Sequence, residues 1–370
     1  MRNIIILCLI CACANAVEFN EGKNKIKVGG QVVADTARID DNGLSNNDSE
    51  LRRVRLYLKG DINKNFAYEV EYSFIGNNNW KDLYIKYTGF KNWVVYGGNI
   101  KEPFGLEALT SSKYNTFMER GLADFYSSRK LGLFAQGYHK NDDNVVTYSL
   151  GGFMNSIDDI LNDEKDTSSF VGRVTYAKMI SKKDIFHVGL ALSRTNYDLD
   201  KIKLSSNAGS KLYDGSFIKT KIKNVDSTTR VGLEVATVLG SFSFQSEYIS
   251  ISLSKTDIDY KFNGWYTQLS YFLTGESRNY KAKTARFSRV KPIKPMDKDG
   301  FGAIEVACRV TQIDLEDKDK KGGKERDYTL GINWYLKSNL RLMADYTYAK
   351  KIEGKSKDAN IFQLRAQYDF

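Results

Sequence analysis

Many arginine and lysine side chains of this sequence alternate with apolar residues. The basic residues that could together form a row of cations are Arg53, Arg55, Lys59, Lys101, Lys113, Arg120, Arg129, Arg173, Arg309, Arg341 and Arg365. Because guanidinium and ammonium groups combine positive charge with several hydrogen-bond donors, the chemistry open to them is the binding of small anions. Several close pairs at one point, each worth roughly 4 kcal/mol at an effective dielectric near 20, would trap an anion. A row of cations instead binds it loosely at successive positions.

Residues for catalysis or for holding a cofactor are scarce in this chain. The two histidines are His139 and His187, and both fall within or at the end of alternating segments. A serine hydrolase needs a serine, a histidine and an orienting group at one site, and the sequence singles out no such set. Metal-ligand spacings and a nucleotide-type glycine loop are also not visible in it. We therefore expect neither an enzyme nor a resident cofactor.

The clearest element that could position such charges is the carboxyl-terminal segment, residues 360–370. One face carries Phe362, Leu364, Ala366, Tyr368 and Phe370, and the other carries Gln363, Arg365, Gln367 and Asp369. A strand with one apolar and one charged face suits the wall of a membrane β-barrel, which has lipid on one side and water on the other. An aromatic last residue is also common in bacterial outer-membrane barrels. From this segment alone, a strand of a soluble sandwich is the alternative.

Alternating segments of this kind recur through the chain, and together they favour the barrel. They cover residues 25–35, 51–61, 66–75, 80–88, 93–102, 129–139, 144–154, 168–177, 184–195, 228–238, 241–253, 258–273, 300–313, 328–336, 339–349 and 360–370. Their polar faces carry charges of both signs, which a packed core cannot hold because unpaired buried charge is too costly. Those polar faces must therefore be in contact with water. The sequence therefore predicts an all-β, transmembrane antiparallel barrel of about 16 strands around a water-filled channel.

The amino terminus has the pattern of a secretory signal. A basic start is followed by a short apolar run that ends in Ala14-Asn-Ala16, which predicts cleavage after Ala16. Residues 1–16 are therefore assigned to a signal peptide and residues 17–370 to one barrel domain. Cleavage would remove three of the four cysteines and leave Cys308, so no internal disulfide is expected, and alternation places Cys308 toward lipid. The mean hydropathy of −0.44 is compatible with a barrel, which shows lipid only alternate residues.

The connections between segments fall into two length classes. Tight turns alternate with long connections at residues 105–128, 158–167, 196–227 and 274–299. Outer-membrane barrels place short turns at one rim and long loops at the outer rim, so we expect all four long connections to face outside. The charged run 316–326 is interpreted as a solvated outer loop. The three prolines, Pro103, Pro292 and Pro295, all fall in segments interpreted as loops, as expected where a strand proline would cost a hydrogen bond.

Four segments carry a resemblance to a known family. Residues 101–120 read Lys-Glu-Pro-Phe-Gly-Leu-Glu-Ala-Leu-Thr-Ser-Ser-Lys-Tyr-Asn-Thr-Phe-Met-Glu-Arg, and residues 271–280, 289–292 and 302–309 add shorter matches. This pattern resembles the phosphate-selective porin O and P family from Arg52 to Phe370. The resemblance implies a trimer of barrels in the outer membrane, in contact with lipid and lipopolysaccharide. It also implies an inturned loop that forms a narrow site for phosphate, pyrophosphate or polyphosphate.

The resemblance also suggests which residues contact the anion. By motif position, Ser111 and Ser112 would donate hydroxyl hydrogen bonds and Arg120 would present a forked guanidinium; Lys113 lies beside them. Asp82 would accept the proton of a phosphate oxygen. Lumenal arginines would be Arg52 and Arg53, with a pore lining of Arg55, Lys59, Lys101, Arg129, Arg173, Arg309, Arg341 and Arg365.

Several alternatives stay open at this point. The serines could cap a short helix in the loop, Asp82 could pair only with a neighbouring lysine, and any wall cation could pair with an acid. Inward faces also carry carboxylates, namely Glu69, Glu71, Glu234, Glu305, Asp345 and Asp369. A general diffusion porin, whose basic wall is balanced by its acids, is therefore one alternative function. A surface barrel for adhesion is another.

Overall fold

The structure is a computed structural model that describes residues 17–21, 24–41, 43–77, 79–162, 166–181, 183–256, 258–353 and 358–370. The predicted signal peptide, residues 1–16, lies outside this set. The strands are β1 (Val17–Glu21), β2 (Asn24–Asp41), β3 (Leu44–Asp61), β4 (Phe66–Ser73), β5 (Trp80–Tyr87), β6 (Trp93–Lys101), β7 (Arg129–Asn141), β8 (Asn144–Met154), β9 (Thr167–Met179), β10 (Ile185–Ser206), β11 (Ile218–Leu239), β12 (Phe242–Lys255), β13 (Ile258–Phe272), β14 (Asn279–Lys281), β15 (Arg286–Ser288), β16 (Ala303–Asp317), β17 (Lys320–Lys337), β18 (Leu340–Glu353) and β19 (Ala359–Asp369). Two short helices are α1 (Leu106–Leu109) and α2 (Ile157–Leu161). In the described part of the chain, no helix is long and apolar enough to cross a membrane.

Sixteen strands, β2 to β13 and β16 to β19, form one closed antiparallel barrel. The sheet closes where β19 pairs with β2, with Leu364 opposite Thr36 and Asp369 opposite Gln31. The short β1 pairs with the start of β2, and β14 and β15 form a separate hairpin. Closure gives each of the sixteen strands a paired neighbour on both sides, as a bilayer requires. The predicted fold class is confirmed, and each predicted segment corresponds to one barrel strand.

The alternating pattern sorts side chains to the two sides of the wall. On β19, Phe362 and Leu364 are 46% and 43% exposed on the outside, whereas Gln363 and Arg365 are each 3% exposed inside. Cys308 is also exposed on the outside, the side predicted for it. The inward Arg365 is covered by Asp35 and Glu119, which both pair with it.

Two segments predicted as loops largely form strands instead. The connection predicted at 196–227 is shortened to residues 207–217, because β10 runs to Ser206 and β11 begins at Ile218. The outer loop predicted at 316–326 is a tight hairpin of β16 and β17, with Asp317 opposite Lys320. Both segments extend past the rim, where water surrounds the strands, so backbone pairing continues without an apolar outer face.

One rim has short connections with one exception, whereas the other rim has both long and short ones. The chain ends of the barrel and the connections after β3, β5, β7, β9, β11 and β17 share one rim, here called the turn rim. Residues 102–128 (the inner loop) and 207–217 lie at the opposite rim, the loop rim. The prediction that 274–299 faces outside is wrong. Residues 273–302 (the basal loop) follow the twelfth barrel strand, and the connection after an even-numbered strand returns to the turn rim.

Part of the lumen is filled. Phe104, Leu122 and Phe125 of the inner loop pack inside the barrel with the wall residues Ile249 and Phe262. Through this packing the inner loop covers the inward face of one side of the barrel. The open channel is left along strands β2 to β7.

Candidate anion site in the lumen

A cavity of about 430 Å³ lies inside the barrel between strands β2 to β7, the inner loop and the basal loop. Ten basic side chains line it: Arg52, Arg53, Arg55, Lys59, Lys101, Lys113, Arg120, Arg129, Lys281 and Arg286. Three carboxylates also line it: Glu69, Glu71 and Asp82. The described wall of this cavity therefore carries a large excess of positive charge.

The structure brings most of the sequence-predicted site residues together in this cavity. The seven residues named as anion contacts all line it: Arg52, Arg53, Asp82, Ser111, Ser112, Lys113 and Arg120. So do Arg55, Lys59, Lys101 and Arg129 from the predicted pore lining. The two serines do not cap α1 at its start, where Gly105 is the capping residue. Both serines line a cavity that also contains cations.

The cavity carboxylates are held by neighbouring side chains. Arg129 forms a bidentate pair with Asp82, in which Nε–Oδ1 and Nη2–Oδ2 are both 2.8 Å. Glu71 lies between Arg129 and Arg55, at 3.4 and 3.5 Å. Glu69 accepts a hydrogen bond from the hydroxyl of Tyr84 at 2.8 Å. Asp82 thus pairs with an arginine rather than with a lysine, and each of its two oxygens accepts a hydrogen bond from that arginine.

Several cations of the cavity have no carboxylate bound to them among the described residues. Arg53 is only 5% exposed, and its Nη1 has no hydrogen-bond partner among the described atoms. Arg120 donates to two backbone carbonyls of the inner loop, those of Glu107 and Thr110, at 3.1 and 3.2 Å. Lys101 donates to the carbonyl of Ala108. Because carbonyls carry no net charge, these cations keep their attraction for an anion.

The four remaining predicted pore residues do not line the cavity, because loops cover them. Arg365 donates to the carbonyl of Met118 at 2.6 Å, and Arg341 donates to that of Asn115 at 2.8 Å. Arg309 donates to the carbonyl of Glu119 at 2.9 Å. Arg173 donates to the carbonyl of Ala285 in the basal loop at 3.0 Å. These four arginines thus hold loops against the wall, and Arg309 also lines a second pocket beside Glu119 and Arg120.

Acidic wall residues hold the inner loop as well. Glu247 accepts the backbone N–H groups of Leu106 and Glu107 at 3.0 and 2.7 Å. Asp345 accepts that of Met118 at 3.0 Å. Of the other inward acids, Glu234 pairs with Arg173, Glu305 accepts from Tyr335 and Asn333, and Asp369 pairs with Arg289. These five inward carboxylates are therefore used in structural contacts.

Glu119 fixes the end of the inner loop beside the cavity. Its carboxylate accepts from Arg52 at 3.0 and 3.2 Å and from Arg365 at 2.9 Å. Burial alone would raise the pKa of Glu119, but Arg52 and Arg365 outweigh burial and lower that pKa below its ordinary value of 4.5. The carboxylate is thus charged at neutral pH, and its two ion pairs hold the loop.

Sequence reasoning missed the contribution of the basal loop. Lys281, Thr284 and Arg286 line the cavity from the side opposite the wall. The loop is fixed inside the barrel by a hydrogen bond of 2.7 Å between Tyr280 and His187. The backbone N–H of Phe287 also donates to Thr110 of the inner loop at 3.3 Å. Counting strands would have assigned this loop to the turn rim, and its many lysines and arginines would then have marked it as part of the site.

Comparison with known proteins agrees with this architecture. A profile of the family described as phosphate-selective porin O and P matches residues 26–370. Porin O of Pseudomonas aeruginosa is 30% identical, over 93% of this chain and 88% of that protein. An anion-selective porin from Comamonas acidovorans has a similar fold, with a TM-score of 0.60 and 13% identity over 94% of this chain and 100% of that one. So does the trimer form of in-vitro folded OmpT from Vibrio cholerae, with a TM-score of 0.56 and 13% identity over 94% and 99% of the two chains. The chain therefore belongs to the phosphate-selective porin O and P family of outer-membrane porins.

Proposed function

We propose that this porin is an anion-preferring channel for the passive uptake of phosphate or polyphosphate. The observation that carries the proposal is the charge of the cavity, which has ten cations against three carboxylates on its described wall. Two of those carboxylates, Glu71 and Asp82, are paired with Arg55 and Arg129. Arg53 is among the cations that face the channel with no carboxylate bound to them in the described part of the chain. A multiply charged anion with several acceptor oxygens suits such a surface.

The loop rim supports the same preference. Beyond the barrel wall, β10 and β11 continue as a hairpin, and Thr220 and Ile218 lie against Gly322 and Gly323 of β17, which is not a neighbour of β11 in the sheet. The hairpin therefore leans across the mouth of the channel. Its other face exposes Lys201, Lys203, Lys219, Lys221 and Lys223. Lysines gathered at a channel mouth raise the local concentration of anions.

The proposal includes export, assembly and surroundings. Residues 1–16 direct export and are then removed by cleavage, and the barrel inserts in the outer membrane, where its outward apolar face contacts lipid and lipopolysaccharide. Three barrels form a homotrimer, by analogy with the trimer form of OmpT. The short strands β4, β5 and β6, of 8, 8 and 9 residues, offer a low wall for contact between barrels.

Titration of the chloride current with phosphate tests this function. The purified full chain is inserted in a planar bilayer, and inorganic phosphate is added at constant ionic strength. We expect phosphate to reduce the chloride current in a saturable way, because both anions share the cavity and phosphate binds its cations more strongly. A current that is indifferent to phosphate would contradict phosphate as the favoured substrate.

A further inference from the structure

Three aromatic side chains form a continuous surface on the wall of the anion cavity. Tyr84 on β5, Tyr96 on β6 and Phe134 on β7 all line it, and they are here called the aromatic shelf. The rings of Tyr84 and Tyr96 are 5.5 Å apart with planes at 70°. Those of Tyr96 and Phe134 are 4.6 Å apart and within 3° of parallel. Inward positions of a water-filled barrel are usually polar, so three adjoining rings at this place need an explanation.

The shelf packs in part against the apolar cluster that contains Phe104 and Phe125 of the inner loop, but all three of its rings still line the cavity. Within the described residues, the rings recorded against the shelf are its own members and Phe153, which lies beside Phe134 on β8. The described parts of the inner and basal loops contribute no ring that stacks on it. Among the same residues, its one recorded side-chain hydrogen bond joins Tyr84 to Glu69. One side of the shelf therefore remains open to the cavity.

The orientation of the rings determines what they can bind. Neighbouring strands are about 4.8 Å apart, and the ring centres of Tyr96 and Phe134, which are paired residues on adjacent strands, are 4.6 Å apart. Parallel rings at this separation stand upright on the wall, so their edges point to the cavity. An aromatic edge carries partial positive charge and attracts the negative face of another ring.

Cations adjoin the shelf along the same three strands. Asp82, which holds Arg129, precedes Tyr84 by two residues on β5, a rise of about 7 Å. Arg129 and Lys101 occupy the loop-rim ends of β7 and β6, above Phe134 and Tyr96. A ligand can therefore place an anionic group among the cations while its ring lies on the shelf.

The size of the cavity fits such a ligand. Its volume of about 430 Å³ falls within the range of roughly 300–1,000 Å³ that is typical for sites of organic ligands. A single inorganic phosphate would leave much of this space empty. The shelf, the cations and the volume together describe a site with two parts.

We propose that the cavity binds and conducts organic phosphates whose substituent is a planar aromatic ring, with the ring on the aromatic shelf. This inference rests on the proposed anion channel and adds a class of substrate to it. The phosphate group occupies the space beside Arg129 and Lys101. The ring contacts the edges of Tyr96 and Phe134, and this contact distinguishes an aromatic ester from an aliphatic one.

Current block by three phosphates tests the proposal. Phenyl phosphate, methyl phosphate and inorganic phosphate are titrated against the chloride current of the purified full chain. We expect phenyl phosphate to reach half-block at about a fivefold lower concentration than methyl phosphate, since one added ring contact contributes on this scale. In Tyr96→Leu and Phe134→Leu this ratio should fall toward one. Phe170→Leu, which removes an exposed ring from the outer face of β9, should keep the wild-type ratio.

The outcomes separate the two proposals. Equal block by phenyl and methyl phosphate in the wild type, while inorganic phosphate blocks, would overturn the aromatic site and leave the anion channel standing. A ratio that persists in both shelf variants would also overturn it. The chloride current measured before any addition shows that each variant forms a channel. If none of the three phosphates blocks the wild type, the anion site itself is contradicted, and the aromatic proposal fails with it.

Discussion

Arg365 and Asp35 face each other across the seam that closes the barrel, and they form a bidentate ion pair with Nε–Oδ1 at 2.7 Å and Nη2–Oδ2 at 2.6 Å. The same guanidinium also binds Glu119 and the carbonyl of Met118 in the inner loop. A single side chain thus joins the first barrel strand, the last barrel strand and the loop that narrows the channel.

Removal of this arginine should destabilise the barrel. In Arg365→Met, the carboxylate of Asp35 is left buried without its partner, which costs roughly 3–5 kcal/mol for a buried pair. Thermal unfolding of the purified protein measures the loss. Arg38→Met is the matched control, because Arg38 pairs with Asp40 while their side chains are 61% and 41% exposed, and such an exposed pair contributes little to stability. Equal losses in the two variants would contradict the assigned role of Arg365.

Arg53 should contribute directly to anion binding. Arg53 lines the cavity and has no carboxylate bound to it among the described residues. In Arg53→Met, the phosphate concentration for half-block should rise about tenfold, as expected for loss of one charged hydrogen bond. The chloride-current titration measures this change. Arg194→Met, on the exposed face of β10, should leave the half-block unchanged, and a similar rise in both variants would argue against a local contact.

Asp82 should oppose anion passage. Its replacement in Asp82→Asn removes one of the three carboxylates on the described cavity wall and frees Arg129. The preference for chloride over potassium should then rise by up to about fivefold, which corresponds to the ~1 kcal/mol of one charge at 4 Å in water. Reversal potentials measure it, with Asp61→Asn at the exposed turn rim as control. A weaker phosphate block with unchanged chloride preference would show instead that Asp82 contacts phosphate itself.

The ion pairs that Glu119 forms at the end of the inner loop should break only at low pH. The pKa of Glu119 is lower in the folded protein than its ordinary value of 4.5, so its contribution to stability is full above that value and is lost as pH falls through the lower, folded pKa. The single-channel current should therefore stay steady from pH 7 to about 5. Glu119→Gln should show at pH 7 the noisier current that the wild type shows only in strong acid. A wild-type change in current near pH 6 that is absent in Glu119→Gln would contradict this assignment.

The alternation of side chains was enough to predict the barrel. In each strand the apolar residues mark the side that faces lipid and the polar residues mark the side that faces the lumen. Phe362 and Arg365 lie on the sides that this pattern predicts. The pattern does not say what lies inside. Arg53 and Arg365 both point inward, yet one faces the cavity and the other is covered by the inner loop. That difference depends on how the loops fold, and the contacts of those loops with the wall join residues far apart in the chain.

The most direct test of the central claim is the reversal potential of the wild-type channel in a potassium chloride gradient across a planar bilayer. We expect a potential of the sign that chloride flow produces, because cations outnumber carboxylates on the described cavity wall. A potential near zero would indicate a general diffusion porin, and the absence of any conductance would indicate a structural or adhesive barrel. A potential of the sign set by potassium would contradict the account outright.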